Sequence, residues 1–143
     1  MIIDAAAADL SEGATIAAGT QGSGDAGTIR IAVLHLTLAD AAQITSSTEG
    51  EGESGKGGDV AIEAREAIVG TGNSSIQSNA SGIGPGGNIL VQAEVVRLAN
   101  EATIAAGSSG AERTGTVSIT ARDLSLQRYR TITTEALQAS GGA

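Results

Sequence analysis

The 143-residue chain has no cysteine, phenylalanine or tryptophan, and it has only one tyrosine and one proline. Without cysteine, disulfide bonds and thiolate metal sites are excluded. Without large aromatic side chains, a core has to be built from the aliphatic residues that dominate the 41% hydrophobic content. Aliphatic layers of this kind suit thin, regular stacks of strands better than an irregular globule.

Basic residues are also scarce, with eight lysines and arginines against sixteen acidic residues and a net charge of −8. This balance argues against a nucleic-acid surface or an anionic-membrane surface. No apolar run approaches the length of a membrane helix, and the first ten residues lack the features of a signal peptide. We therefore expect no nucleic-acid partner and no membrane insertion, and we expect that an exported parent protein would carry this chain as an internal piece.

Glycine is abundant at 21 residues, and a strand-like segment that follows a glycine recurs four times. Its sequences are GTIRIAV at 27–33, GDVAIEA at 58–64, GNILVQA at 87–93 and GTVSITA at 115–121. The first apolar residues, Ile29, Val60, Ile89 and Val117, are spaced by 31, 29 and 28 residues. Alternation of apolar and variable residues predicts strands, and their recurrence predicts a solenoid.

Two further apolar segments follow the first in each copy. The second consists of Leu36 and Leu38, Ala67 and Val69, Val96 and Leu98, and Leu124 and Leu126. The third is marked by Ile44, Ile76, Ile104 and Ile132, which align if the second copy carries one extra residue near Ser74. The same spacing of apolar positions can be extended back to Met1, which gives a fifth copy of the repeat. The sequence therefore predicts five stacked coils.

We predict an all-β fold, a right-handed parallel β-helix of about five coils with three short strands per coil and an aliphatic core. One domain covers residues 1–143, with coils at about 1–26, 27–57, 58–86, 87–114 and 115–143. Segment 89–93 then pairs in parallel with 60–64 and with 117–121. The stretch AEVVRLANEATIAAG could instead form the helix of a leucine-rich solenoid, but the recurring Leu and Asn positions of that repeat are missing.

The densest acidic cluster is Glu49, Glu51 and Glu53 in the loop TEGEGESGKGG. Alternation with glycine predicts a solvated loop, and weak calcium binding by the carboxylates is the functional alternative. The only histidine, His35, aligns with Glu66 at a corner between strands, where we expect a surface residue rather than a haem ligand.

A second set of charged residues, Arg65, Glu94 and Arg122, aligns at one corner in three successive coils. We interpret it as a structural charge ladder, worth about 0 to 1 kcal/mol per exposed pair. Paired catalytic carboxylates would have to lie within about 5 to 10 Å on one face. Glu63 has Ala32 and Gln92 as its aligned neighbours, so we expect no catalytic site, and we also expect no cofactor and no metal site.

The third repeat resembles the pattern GxGxxGGNIxVxAxxVxLxxxAxIxAxSxG of large bacterial exoproteins of the filamentous-haemagglutinin type, which use two-partner secretion. The matching residues are Gly84, Gly86, Gly87, Asn88, Ile89, Val91, Ala93, Val96, Leu98, Ala102, Ile104, Ala105 and Ser108. The resemblance implies a β-helix shaft that is exported through an outer-membrane transporter of a Gram-negative-type bacterium. It also implies a secreted or cell-surface location and adhesion to surface molecules of a host or neighbouring cell.

From these features we expect a structural or adhesive, non-catalytic shaft segment of such an exoprotein. The alternative is a calcium-binding or glycan-binding module that uses the glycine-rich acidic loops. The loops share glycine and little else from coil to coil, which favours the shaft. Because the frame opens on core residues Met1 and Ile3 and ends where another coil would start, we also expect end-to-end self-association.

Overall fold

The computed structural model describes residues 1–21, 24–49, 55–81, 84–108, 114–128 and 131–136. Within these ranges the chain is all-β and contains no helix, and every strand pair is parallel. The strands are β1 (Ile2–Asp4), β2 (Ala7–Leu10), β3 (Thr15–Ala17), β4 (Ile29–Leu38), β5 (Gln43–Thr45), β6 (Val60–Gly70), β7 (Ser75–Ala80), β8 (Ile89–Ala99), β9 (Thr103–Ser108), β10 (Val117–Gln127) and β11 (Thr131–Ala136).

The strands form two sheets that run along the solenoid. Sheet 1 has the order β1, β4, β6, β8 and β10, with β2 also paired to β4, and sheet 2 has the order β3, β5, β7, β9 and β11. Five strand layers stack into about four turns, as expected for a parallel β-helix. The predicted neighbours of the third repeat are confirmed, because Ile89 pairs with Val60 on one side and with Val117 on the other.

Each later coil contains two strands rather than the three predicted. The first two predicted segments run together as one strand of 10 or 11 residues in β4, β6, β8 and β10, and only the first coil separates them as β1 and β2. The reason is that both segments pair with the same neighbouring strand, so the first corner is a bend within a nearly continuous ladder.

The third coil, which contains β6, has a different alignment from the one predicted. Its extra residue lies at the first corner, between Ala64 and Ala67, where the pairing of β6 with β4 and β8 shifts register. Such a bulge leaves one residue unpaired and redirects the strand that follows. As a result Leu36 pairs with Ile68 and Leu38 pairs with Gly70, so the inward positions are not Ala67 and Val69 as predicted.

The core consists of aliphatic columns that continue from coil to coil. Fully buried residues include Ile31, Ile62 and Val91 in one column and Ile44, Ile76 and Ile104 in another. Close packing of side chains of the same kind along the axis accounts for a core without aromatic residues. The prediction of an aliphatic core is confirmed.

A column of glycines closes each coil just before the long strand. Gly27, Gly58, Gly87 and Gly115 stack so closely that a Cβ atom on Gly87 would overlap the carbonyl oxygen of Gly58 and the hydroxyl of Ser78. A Cβ atom on Gly115 would overlap the carbonyl of Gly87 in the same way. The repeated glycine before each strand is therefore required by close approach of neighbouring backbones.

Candidate functional site

The outward side of sheet 1 carries a groove at the first corner, where the long strands bend. A recess of about 450 Å³ is lined by Asp4, Ala5, Ala6, Ala32, Val33, Leu34, Glu63 and Arg65. A neighbouring recess of about 660 Å³ is lined by Glu63, Ala64, Arg65, Gln92, Ala93, Glu94, Thr120, Ala121 and Arg122. Because both recesses include Glu63 and Arg65, they form one surface that crosses all five layers, which we call the corner groove.

The corner groove combines a floor of small residues with polar walls. Ala32, Ala64, Ala93 and Ala121 provide much of the floor. Acidic and basic side chains alternate along it, together with the neutral polar residues Gln92 and Thr120. The groove is open to solvent, so its chemistry is that of exposed hydrogen-bond donors and acceptors.

The three residues of the predicted charge ladder all line this groove. Glu94 and Arg122 face each other on β8 and β10, with 3.7 Å between Glu94 Oε2 and Arg122 Nη1. Their side chains are 62% and 78% exposed, so solvent screens the pair strongly. Arg65 forms no ion pair with any of the described residues, and it lies in the bulge of β6, where the register shifts relative to β8.

A second polar contact between side chains was not predicted as such from the sequence. His35 Nε2 lies 2.8 Å from Glu66 Oε2, and both side chains are more than half exposed. In the strand pairing, His35 lies opposite Ala67, which is the residue directly after Glu66. The bulge therefore places Glu66 where its side chain reaches His35. The sequence alignment of these two residues at one corner could have predicted this contact.

Of the acidic loop, only Glu49 falls within the described residues, because Glu51 and Glu53 lie outside them. Glu49 is exposed, and its backbone N–H donates to the carbonyl oxygen of Thr20 at 2.9 Å. On the other side of the loop, Lys56 Nζ lies 3.3 Å from Asp59 Oδ1. Among the described residues, no group of three or more histidine, aspartate or glutamate side chains is placed to hold a metal ion.

Short polar side chains connect the third coil to the fourth and the fourth coil to the fifth, a feature that was not predicted from the sequence. Asp59 Oδ1 accepts a hydrogen bond from the backbone N–H of Asn88 at 2.8 Å, and Asn88 Oδ1 accepts one from the backbone N–H of Thr116 at 3.1 Å. These residues hold the same position, directly after the stacked glycines. A polar residue recurs in the sequence between each of these glycines and the strand that follows. That recurrence could have predicted the hydrogen bonds between coils.

Comparison with known proteins gave no significant match among family models, curated proteins or solved structures. In the part of the chain that the structure describes, there is no helix with the length and apolarity needed to cross a membrane.

Proposed function

We propose that the chain is a non-catalytic shaft segment of a secreted or surface-displayed bacterial exoprotein, in which stacked coils supply length and rigidity. The observation that carries this proposal is the repetition of one set of inter-coil contacts through all five layers. Parallel pairing, aliphatic columns and stacked glycines recur along the described chain. Outward positions on β4, β6, β8 and β10 vary instead, as in the row Arg30, Ala61, Leu90 and Ser118.

A shaft whose coils are equivalent units tolerates the removal of one whole unit. Deleting residues 87–114 joins Gly86 to Gly115, which is the stacked partner of Gly87. We expect this variant to fold and to be shorter by about 4.8 Å, one strand spacing, in small-angle X-ray scattering. The matched control deletes only residues 87–100, which breaks the coil frame and should prevent folding. Loss of the fold in both variants would contradict the modular shaft.

The location is tested on cells of the source organism. Antibodies against the folded chain should label intact cells or the culture medium, and protease treatment of intact cells should remove the surface label. Adhesion of those cells to host or neighbouring cells should fall when the gene is deleted. Labelling seen only after lysis would contradict an exported shaft.

The corner groove favours a second candidate function, the binding of an extended polymer such as a glycan. Its length along all five layers matches an extended ligand better than a compact one, and its open polar walls offer hydrogen bonds to hydroxyl groups. A glycan array would test this function, with Arg65→Ala expected to weaken any binding. Arg97→Ala is the control, since Arg97 is an exposed arginine on β8 that does not line either recess. Equal binding by both variants would contradict a role for the groove.

A further inference from the structure

The corner groove contains a column of polar side chains that have no partner among the described residues. Glu63, Gln92 and Thr120 lie opposite one another on β6, β8 and β10, one in each strand layer. All three are exposed, and all three line the groove. None of these side chains forms a hydrogen bond or an ion pair with another described residue. Their donors and acceptors can therefore bind another molecule.

The outward face of sheet 2 differs from the groove in this respect. Its polar side chains contact one another, with 3.0 Å between Thr45 Oγ1 and Ser47 Oγ and a 3.3 Å hydrogen bond from Asn79 Nδ2 to Gln77 Oε1. Asn79 Oδ1 also accepts a hydrogen bond from the backbone N–H of Gly107 at 3.1 Å. Sheet 2 therefore offers fewer free hydrogen-bonding groups than the column in the corner groove.

We propose that this column binds an extended neutral glycan, with one sugar ring in each strand layer. The inference rests on glycan binding by the corner groove, the second candidate function, and it specifies the class of glycan. Neighbouring layers are about 4.8 Å apart, which is close to the length of one sugar ring in an extended polysaccharide. An extended peptide instead places the side chains of one face about 6.6 to 6.8 Å apart, so it loses register with the column after a few positions.

Charge along the groove favours a neutral glycan over an acidic one. The charged residues that line the two recesses are Asp4, Glu63, Glu94, Arg65 and Arg122. Three carboxylates and two guanidinium groups give this lining one net negative charge, and the whole chain carries a net charge of −8. An acidic polymer would be repelled by this field. Carboxylates do accept strong hydrogen bonds from hydroxyl groups, so the lining fits neutral rings that are rich in hydroxyl groups.

The floor of the groove determines how the affinity depends on glycan length. Ala64, Ala93 and Ala121 lie beside the polar column and leave room for the rings. Among the described residues that line the recess, none is aromatic, so no ring stacks on a flat platform as it would on tryptophan or tyrosine. Each ring then contributes only hydrogen bonds and contacts with methyl groups. The affinity should therefore grow with the number of rings that contact the column.

The test is isothermal titration calorimetry of the 143-residue chain with oligosaccharides of two to six rings. Neutral series come from cellulose, xylan, mannan and chitin, and oligogalacturonates of the same lengths are the acidic series. A neutral series should bind with an association constant that rises from two rings to at least three and changes little with added salt. Stronger binding of oligogalacturonates, lost at high salt, would overturn the neutral class and leave glycan binding standing. Absence of binding in every series would overturn glycan binding itself, and this inference with it.

Matched variants test the position of the glycan on the column. Gln92→Ala should lower the association constant of the neutral series by about two- to ten-fold, as expected for the loss of one hydrogen bond. Gln43→Ala, at an exposed glutamine on sheet 2, should leave it unchanged. Glu63→Gln should retain more binding than Glu63→Ala, because the amide oxygen still accepts a hydrogen bond from a sugar hydroxyl. Equal binding by Gln92→Ala and Gln43→Ala, with unchanged circular dichroism spectra, would overturn the proposed contact.

Discussion

Ser78 Oγ donates a 2.5 Å hydrogen bond to the carbonyl oxygen of Gly58 inside the solenoid. Ser46 does the same for Gly27 one coil earlier, also at 2.5 Å. Both serine side chains are fully buried. Ser78 lies in β7 and Ser46 directly follows β5, so both tie the sheet 2 side of the coil to the glycine that precedes a long strand. These hydroxyl groups therefore close the coil at the point where the loop returns to sheet 1.

Ser78→Ala should lower the free energy of unfolding by about 1 to 3 kcal/mol, because the Gly58 carbonyl loses its buried donor. Chemical denaturation followed by circular dichroism would measure the change. Ser118→Ala is the control at an exposed serine on β10, where a change within about 0.5 kcal/mol is expected. A similar loss in both variants would contradict a special role for the buried serine.

Gly87→Ala should be among the most damaging single substitutions in the chain. The added methyl group would overlap the backbone of Gly58 and the hydroxyl of Ser78, and overpacking of this kind costs about 1 to 3 kcal/mol or more. Gly24→Ala is the matched control, because a Cβ atom there meets nothing within 4 Å. Thermal melts of the two variants should differ clearly, and equal melting temperatures would refute the stacked-glycine argument.

Ala41→Gly should increase stability. Ala41 has a φ of 65°, a left-handed conformation that costs a residue with a Cβ atom about 1 to 2 kcal/mol. Glycine removes that strain but loses about 0.5 to 1 kcal/mol through its greater freedom in the unfolded chain, so a net gain of up to about 1.5 kcal/mol is expected. Ala39→Gly, at a position without positive φ, should destabilise the chain. Denaturant titration should show that the free energy of unfolding rises in Ala41→Gly and falls in Ala39→Gly. A fall in both variants would contradict the strain at Ala41.

The sequence was sufficient to predict the parallel strands and the aliphatic columns because these depend on spacing alone. Ile44, Ile76, Ile104 and Ile132 recur at one position of every later repeat, and the structure stacks them as neighbours. Alternation with variable outward residues favoured strands over helices for the same reason.

The position of the extra residue could not be found in this way. Ala67 and Val69 are as apolar as a predicted column requires, so the sequence pattern accepted them, whereas strand pairing selects Ile68 and Gly70. The distinction depends on where the backbone bulges, and hydrophobicity does not encode that. The buried hydroxyl of Ser78 was missed for a related reason, because polar residues in an alternating pattern are expected to face solvent.

Folding should not require calcium, because the coils are held by aliphatic columns and by hydrogen bonds between backbones. Thermal melts with calcium and with excess chelator should coincide. The triple variant Glu49→Gln, Glu51→Gln and Glu53→Gln should melt at the same temperature under both conditions. A melt that shifts upward with calcium only when the three glutamates are present would instead favour the calcium-binding alternative.

Two residues of β8 allow the contributions of the core and of surface charge to the free energy of unfolding to be compared. Ile89 is 1% exposed in the core, so Ile89→Ala should cost about 2 to 5 kcal/mol of unfolding free energy. Glu94→Gln removes the charge from the exposed pair with Arg122 and should cost no more than about 1 kcal/mol. High salt should weaken the small effect of Glu94→Gln and leave that of Ile89→Ala in place. Comparable losses would mean that surface charge holds the coils together as strongly as the core does, contrary to the high exposure of both charged side chains.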